Sequence, residues 1–144
     1  MSKRLVRALC ISAATCLGGS LTASAADLTV HIANIEQSTG SILIGLYDSA
    51  ETFLNPKGMR DSMKLDANKD GVSYTFHDLP EGDYAISVFH DQDGDGKLKK
   101  NFMGIPREPI GMSRDAKGSY GPPQYSDAVF TLPKTGTDLT ITLY

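Results

Sequence analysis

Apolar residues recur at every second position through most of this chain. Leu28, Val30 and Ile32 alternate with Thr29, His31 and Ala33, and Ile42, Ile44 and Leu46 alternate next and run into Tyr47-Asp48. Period-two alternation places one side of an extended segment on a core and the other in water, so each run predicts a strand. Gln37-Ser38-Thr39-Gly40 between them reads as a turn, and the two runs together as a hairpin. Residues 63–65 predict a short strand. Val72, Tyr74 and Phe76 predict another, as do Tyr84, Ile86 and Val88. Residues 128–132 and 139–144 are the last two, joined by Pro133-Lys134-Thr135-Gly136. Residues 49–54 break the alternation and predict one helical turn, stopped by Asn55-Pro56 and Gly58.

About seven short strands with this alternation predict an all-β antiparallel sandwich, immunoglobulin-like or transthyretin-like. Leu79-Pro80-Glu81-Gly82-Asp83-Tyr84 supports that expectation. A tyrosine at the start of a sandwich strand can bury its ring and turn its hydroxyl back onto the preceding loop. A similar Leu-Pro-x-Gly-x-Tyr step occurs in transthyretin-like and carboxypeptidase-regulatory-like sandwiches. A membrane barrel uses the same alternation, and residues 139–144, ending in Tyr144, fit its last strand. Barrel strands need about 9–11 residues each, however. Strands here are shorter, and a long Gly/Pro-rich crossover over 99–127 interrupts them, so the sandwich is preferred.

The first 25 residues stand apart from this pattern. Lys3, Arg4 and Arg7 make a basic start around the beginning of an apolar run over 5–17, and Ala23-Ser24-Ala25 is a small-residue cleavage site. This is the signature of a secretory signal peptide, which leaves 26–144 as a single domain. The apolar run is shorter than the ~20 residues that span a bilayer, so no membrane span is expected after cleavage. The expected location is the periplasm, or the exterior where the cell has no outer membrane. Cys10 and Cys16 both lie in the leader, which leaves the domain without disulfide or thiolate chemistry. Without Lys3, Arg4 and Arg7 the chain carries 11 basic and 17 acidic residues, a net charge of −6. That balance argues against nucleic acid as a partner.

Candidate chemistry centres on residues 90–98, His-Asp-Gln-Asp-Gly-Asp-Gly-Lys-Leu. Asp91, Asp93 and Asp95 followed by Gly96 reproduce the first half of a calcium loop, with side-chain ligands at alternate positions and a glycine at the sharp turn. The carbonyl of Lys97 takes the next ligand position, and Leu98 follows as an apolar anchor. Lys99 then brings a cation towards the site, and Phe102 stands where a bidentate Glu would complete it. Glu108 and Asp115 are the nearest replacements. Calcium is the expected cofactor, with an affinity in the ~0.1–1 mM range of extracellular modules. The competing reading is a solvated Asp/Gly turn, because both residues favour turns. Asp66-x-Asn68-x-Asp70-Gly71 repeats the spacing, but strand residues follow at once, so it reads as a hairpin loop.

Residues 101–127 show no periodicity. A structureless loop of that length is usually functional or disordered. Its prolines, with Phe102, Met103, Ile105, Ile110, Met112, Tyr120 and Tyr125, argue for order. The segment is either a binding lip or a packed crossover covering one end of the sandwich. His31 and His77 fall on the polar parity of their strands. His90 shares the apolar parity of Tyr84, Ile86 and Val88 and is expected at the strand rim beside Asp91.

Together these residues resemble a known family. Leu-Pro-x-Gly-x-Tyr-Ala-Ile at 79–86, His-Asp at 90–91, Gly-Lys-Leu at 96–98, Asn-Phe-Met-Gly-Ile-Pro-x-Glu at 101–108, Gly-Pro-Pro at 121–123 and Asp-Ala-x-Phe at 127–130 are similar to the bacterial family catalogued as domain of unknown function 2141. The resemblance implies a small, exported, β-rich protein and brings no activity with it. In that family Asn is common where this chain has Asp93 and Asp95, and Asp is common where it has Lys99. Two aromatics common in the family are replaced here by Ile110 and Met112.

Three functions fit the sequence. One is a non-catalytic exported module whose Asp loop binds calcium and whose 99–127 segment faces a protein or glycan partner. Another is a hydrolase-like enzyme using His90 and Asp91 at a pocket mouth. The remaining one is a transthyretin-like carrier with an apolar cavity.

Overall fold

The computed structural model describes residues 25–144; the proposed leader lies outside the described residues except for Ala25. Eight strands form two sheets. They are β1 (Ala25–Ala33), β2 (Ser41–Tyr47), β3 (Asp61–Asp66), β4 (Val72–Pro80), β5 (Gly82–Asp91), β6 (Ile110–Met112), β7 (Phe130–Leu132) and β8 (Thr137–Thr142). The first sheet has the order β4-β1-β8, and the second β3-β2-β5-β6, with β7 also on β5. Both β6 and β7 lie along one edge of β5, opposite Ser87–Phe89 and Gly82–Tyr84 respectively. These are two stacked sheets rather than one closed cylinder, so the expected all-β sandwich holds and the barrel alternative does not. Among the described residues no helix is long and apolar enough to cross a membrane.

The core forms where the alternating positions of the two sheets meet. Leu28, Val30 and Ile32 from β1 and Phe76 from β4 face Ile42, Ile44 and Leu46 from β2 and Ile86 and Val88 from β5. Leu132, Ile141 and Leu143 close it. Full burial of such side chains contributes about 1.5–3 kcal/mol each.

The structure departs from the sequence expectation in four places. β1 and β2 are not a hairpin: β1 pairs with β4 and β8, β2 with β3 and β5. The turn at 37–40 therefore carries the chain from one sheet to the other. Alternation fixes which face of a strand is apolar and not which strand lies beside it. One pairing is parallel, with Leu28–Ala33 of β1 running beside Thr137–Thr142 of β8. The crossover also has structure of its own, namely β6, a 3₁₀ turn at Ser113–Asp115 and a short helix α1 (Tyr125–Ala128). Residues 49–54 form turns rather than a helical turn, and Pro56 opens a 3₁₀ turn at Pro56–Gly58.

The Tyr84 corner forms as expected. Its ring is buried, and its hydroxyl donates to the Pro80 carbonyl at 2.9 Å, where the chain passes from β4 in one sheet to β5 in the other. Tyr84→Phe should destabilise the domain by about 1 kcal/mol in denaturant unfolding, the net value of one such bond. Tyr125→Phe, whose exposed hydroxyl donates to the Asp83 carbonyl at 3.1 Å, should change stability much less.

Candidate functional site

β5 delivers the acidic loop. Its inward residues run Tyr84, Ile86, Val88 and His90, and Asp91 ends the strand opposite Ser41 of β2. His90 and Asp91 are both fully buried. His90 is therefore not at a rim or pocket mouth. Its Nε2 lies 2.7 Å from the Thr39 carbonyl, which requires the ring proton on that nitrogen. Its backbone N–H donates to the Pro109 carbonyl at 2.9 Å. The buried Nδ1 has no hydrogen-bond partner among the described residues. The ring is thus not accessible at a pocket mouth, where the hydrolase-like alternative placed it. Gly40 packs on the same strand end. A Cβ there would sit 2.2 Å from the Asp91 carbonyl oxygen, and its φ of +78° favours glycine as well.

Asp91 folds the loop onto itself. Its Oδ1 accepts from the Gly94 amide at 2.8 Å and its Oδ2 from the Gly96 amide at 2.9 Å. Asp93 accepts from the Asp95 amide at 3.3 Å, and Asp95 from the Lys97 amide at 2.7 Å. Each aspartate thus caps a backbone amide two to five residues on, as turn-forming Asp does. The same folding gathers one carboxylate oxygen from each of Asp91, Asp93 and Asp95 within 4.8 Å of one another. Asp91 is buried at the floor of this cluster, with Asp93 and Asp95 exposed above it.

A lysine already answers part of this acidity. Lys99 Nζ is 2.5 Å from Asp93 Oδ2. The Lys99 hydrogen bond, followed by the Asp95 amide, holds the Asp93 carboxyl below its usual range. That same bond, with the negative charges of Asp93, Glu108 and Asp95, raises the Lys99 ammonium against a small opposing effect of burial. Asp93's contribution is complete above the ordinary carboxylate range and is lost as pH falls through its lowered pKa. Lys99's contribution is complete below the ordinary lysine range and is lost as pH rises through its raised pKa. The pair is therefore constant across neutral pH. Both side chains are well exposed, so it adds little to global stability.

Glu108 has a different part from the one expected of it. It is buried, at 5% exposure, although it lies on the far side of an exposed hairpin. Its Oε1 accepts from the Gln92 amide and its Oε2 from the Lys99 amide, both at 2.9 Å. The carboxylate thus spans the two ends of the acidic loop. With both oxygens engaged on backbone amides it falls outside the carboxylate cluster, and so does Asp115, exposed on its 3₁₀ turn. Phe102, at the position of the missing Glu, is 97% exposed. The loop therefore keeps its three aspartates and lacks a fourth carboxylate. Lys97 enters it through its backbone N–H, which donates to the Asp95 carboxylate. The Asp66/Asn68/Asp70 copy forms a turn, closed by the Gly71 amide on the Asn68 carbonyl. That turn joins the two sheets rather than a hairpin, and it gathers no carboxylate cluster among the described residues.

After Glu108 the crossover packs down. Met112, Ala116 and Ala128 join Ala85 of β5 in a second apolar cluster, flanked by Phe53, Ile110 and Tyr125. Buried Ser113 ties it to the sheet, accepting from the Ile86 amide at 3.0 Å and donating to the Ala128 carbonyl. Residues 110–113, Ala116 and the short helix α1 are thus the packed parts of the crossover. Large apolar side chains remain exposed at Phe102, Met103, Ile105 and Tyr120, and residues 117–122 are an exposed stretch of the crossover. No sequence motif marked Ser113 or the bridging role of Glu108.

These features define an all-β sandwich whose long crossover is fastened beside an acidic strand-end loop. A family model described as "Uncharacterized protein conserved in bacteria (DUF2141)" matches residues 30–140, and the chain belongs to that family. No curated protein and no solved structure matches it significantly.

Replacing Glu108 tests the clasp. In Glu108→Gln the side chain keeps one acceptor, while its NH₂ group meets the other backbone N–H. The expected loss is about 2 kcal/mol in chemical unfolding. Faster hydrogen exchange at Gln92 and Lys99 should accompany it. Asp95→Asn, at an exposed cap, should leave both measurements near wild type.

Proposed function

We propose that this is an exported, non-catalytic sandwich module. In this reading its Asp91/Asp93/Asp95 loop takes calcium or a similar hard cation, and the 99–127 segment fastened beside it faces a protein or glycan partner at the cell envelope. The observation that carries the cation reading is the convergence of three aspartate oxygens within 4.8 Å at the end of a rigid strand. Oxygen-only ligands of this kind suit a hard cation. The Lys97 carbonyl follows in the sequence order of a calcium loop, and water would complete the shell.

Two features set the expected strength. Glu108 is engaged on amides and supplies no bidentate ligand, and Lys99 must leave Asp93 before a cation can use that carboxylate fully. Both point to the weak end of the range, with Kd ~0.1–1 mM. The packed space between the sheets, filled by the core residues, gives no support to the carrier alternative.

At a calcium concentration about ten times Kd, binding to the folded state stabilises it by ~1.4 kcal/mol. For a domain of this size that corresponds to a rise of roughly 5 °C in Tm. Asp93→Ala should abolish the rise, and Lys99→Met, by freeing Asp93, should lower the calcium concentration at its midpoint. A wild-type Tm unmoved by several-fold excess calcium over that Kd would remove the cation from the reading.

A further inference from the structure

We propose that the hairpin tip at residues 101–105 is a docking element for anionic lipid, placing Phe102, Met103 and Ile105 in the interfacial layer of a bilayer. The proposal goes beyond the cation reading, does not depend on it, and at residues 101–105 sets a lipid surface in place of the protein or glycan partner.

Three of the most exposed apolar side chains sit together at this tip. Phe102 is 97% exposed, Met103 69% and Ile105 54%. Scattered exposed apolar residues are ordinary, but a contiguous apolar projection marks an interaction surface.

The projection is held rigidly. The Asn101 amide donates to the Ile105 carbonyl at 2.9 Å and the Gly104 amide to the Asn101 carbonyl at 3.0 Å. The Asn101 side-chain oxygen accepts from the amides of Met103 and Ile105 at 2.9 and 3.0 Å. Below the tip, Lys100 bridges to Pro106, and the Arg107 amide donates to the Lys99 carbonyl at 2.8 Å. The Glu108 clasp anchors this stem. Phe102 is thus presented outward by a set backbone, with little further ordering needed on binding.

Charge selects the partner. Lys100 and Arg107 flank the tip, exposed and outside every salt bridge of the described residues, whereas Lys99 is held by Asp93. A locally basic collar below an apolar tip matches a surface with negative headgroups outside and hydrocarbon beneath. Each basic residue near such a surface strengthens binding by about fivefold. A glycan would be held by hydrogen bonds and aromatic stacking; Phe102 offers a stacking face, but Met103 and Ile105 beside it add neither. A protein partner would need a groove shaped to a convex knob, whereas a fluid interface needs no shape match.

The test uses the chain from Ala25 onward, which contains every described strand of both sheets and excludes the apolar leader. The chain has no tryptophan, so Phe102→Trp places a single reporter at the tip. With a chelator present, to separate lipid binding from any cation effect, vesicles containing phosphatidylglycerol should blue-shift its emission and co-sediment the wild-type protein. Vesicles of phosphatidylcholine alone should do so at least about tenfold more weakly. Phe102→Ser combined with Ile105→Ser should reduce partitioning by about tenfold or more with unchanged Tm, because both side chains are exposed. Lys100→Gln should weaken it by about fivefold. Equal sedimentation of the wild type and the double serine variant would overturn the proposal. So would an emission maximum unmoved by anionic vesicles but shifted by an envelope protein fraction, which would assign the tip to a protein groove. Loss of the calcium-induced Tm rise, by contrast, would bear on the acidic loop alone.

Discussion

β5 is covered on its inner face along its length and on its outer face at Ala85, and that constraint organises the molecule. Its inward side chains complete the core between the sheets, while Ala85 on the outer face lies under Met112, Ala116 and Ala128 of the crossover. Around Ala85 both faces are sealed, although Asp83 is exposed and Ser87 and Phe89 are half-buried, and the edge of the strand is satisfied as well. β6 and β7 share that edge, and the Ser113 hydroxyl accepts the Ile86 amide there. The crossover therefore cannot be a free loop. It is the third layer over the strand that carries His90 and Asp91. Everything at the strand's end inherits that rigidity, so the acidic loop leaves from a fixed point and returns to a fixed point at Glu108.

The strands were legible because alternation is a strong local signal. Leu28/Val30/Ile32, Ile42/Ile44/Leu46 and Ile86/Val88 are all buried as their parity requires. The Tyr84 corner was legible for a similar reason, since ring, hydroxyl and acceptor lie within a few residues. Strand neighbours were not legible. The β1–β2 hairpin failed because a short turn between two alternating runs fits a hairpin and a crossing between sheets equally well. β6 was hidden because a three-residue strand carries no periodicity and forms only where β5 already offers an edge.

At the site, the aspartate cluster could be read from spacing, because its geometry is local. The position of His90 could be half read: parity placed it inward, but its sealing by Thr39 depends on a turn in another part of the chain. Glu108 shows the limit most clearly. The sequence offered it as a substitute ligand, since an acid near an incomplete calcium loop suggests one. Its buried carboxylate is used instead by the amides of Gln92 and Lys99. Which donors a carboxylate finds depends on how the hairpin between them folds back, and no spacing rule contains that information.

The parallel pairing of β1 with β8 has a consequence for folding kinetics. β1 is the middle strand of its sheet, yet one of its two neighbours comes from residues 137–142. Joining segments that far apart along the chain carries a large loop-closure entropy, and folds dominated by such contacts form slowly. As the chain emerges during synthesis, β2, β3 and β5 can pair as soon as residue 91 has appeared, while β1 keeps an open edge until the end of the chain arrives. The strand made first is thus the one completed last.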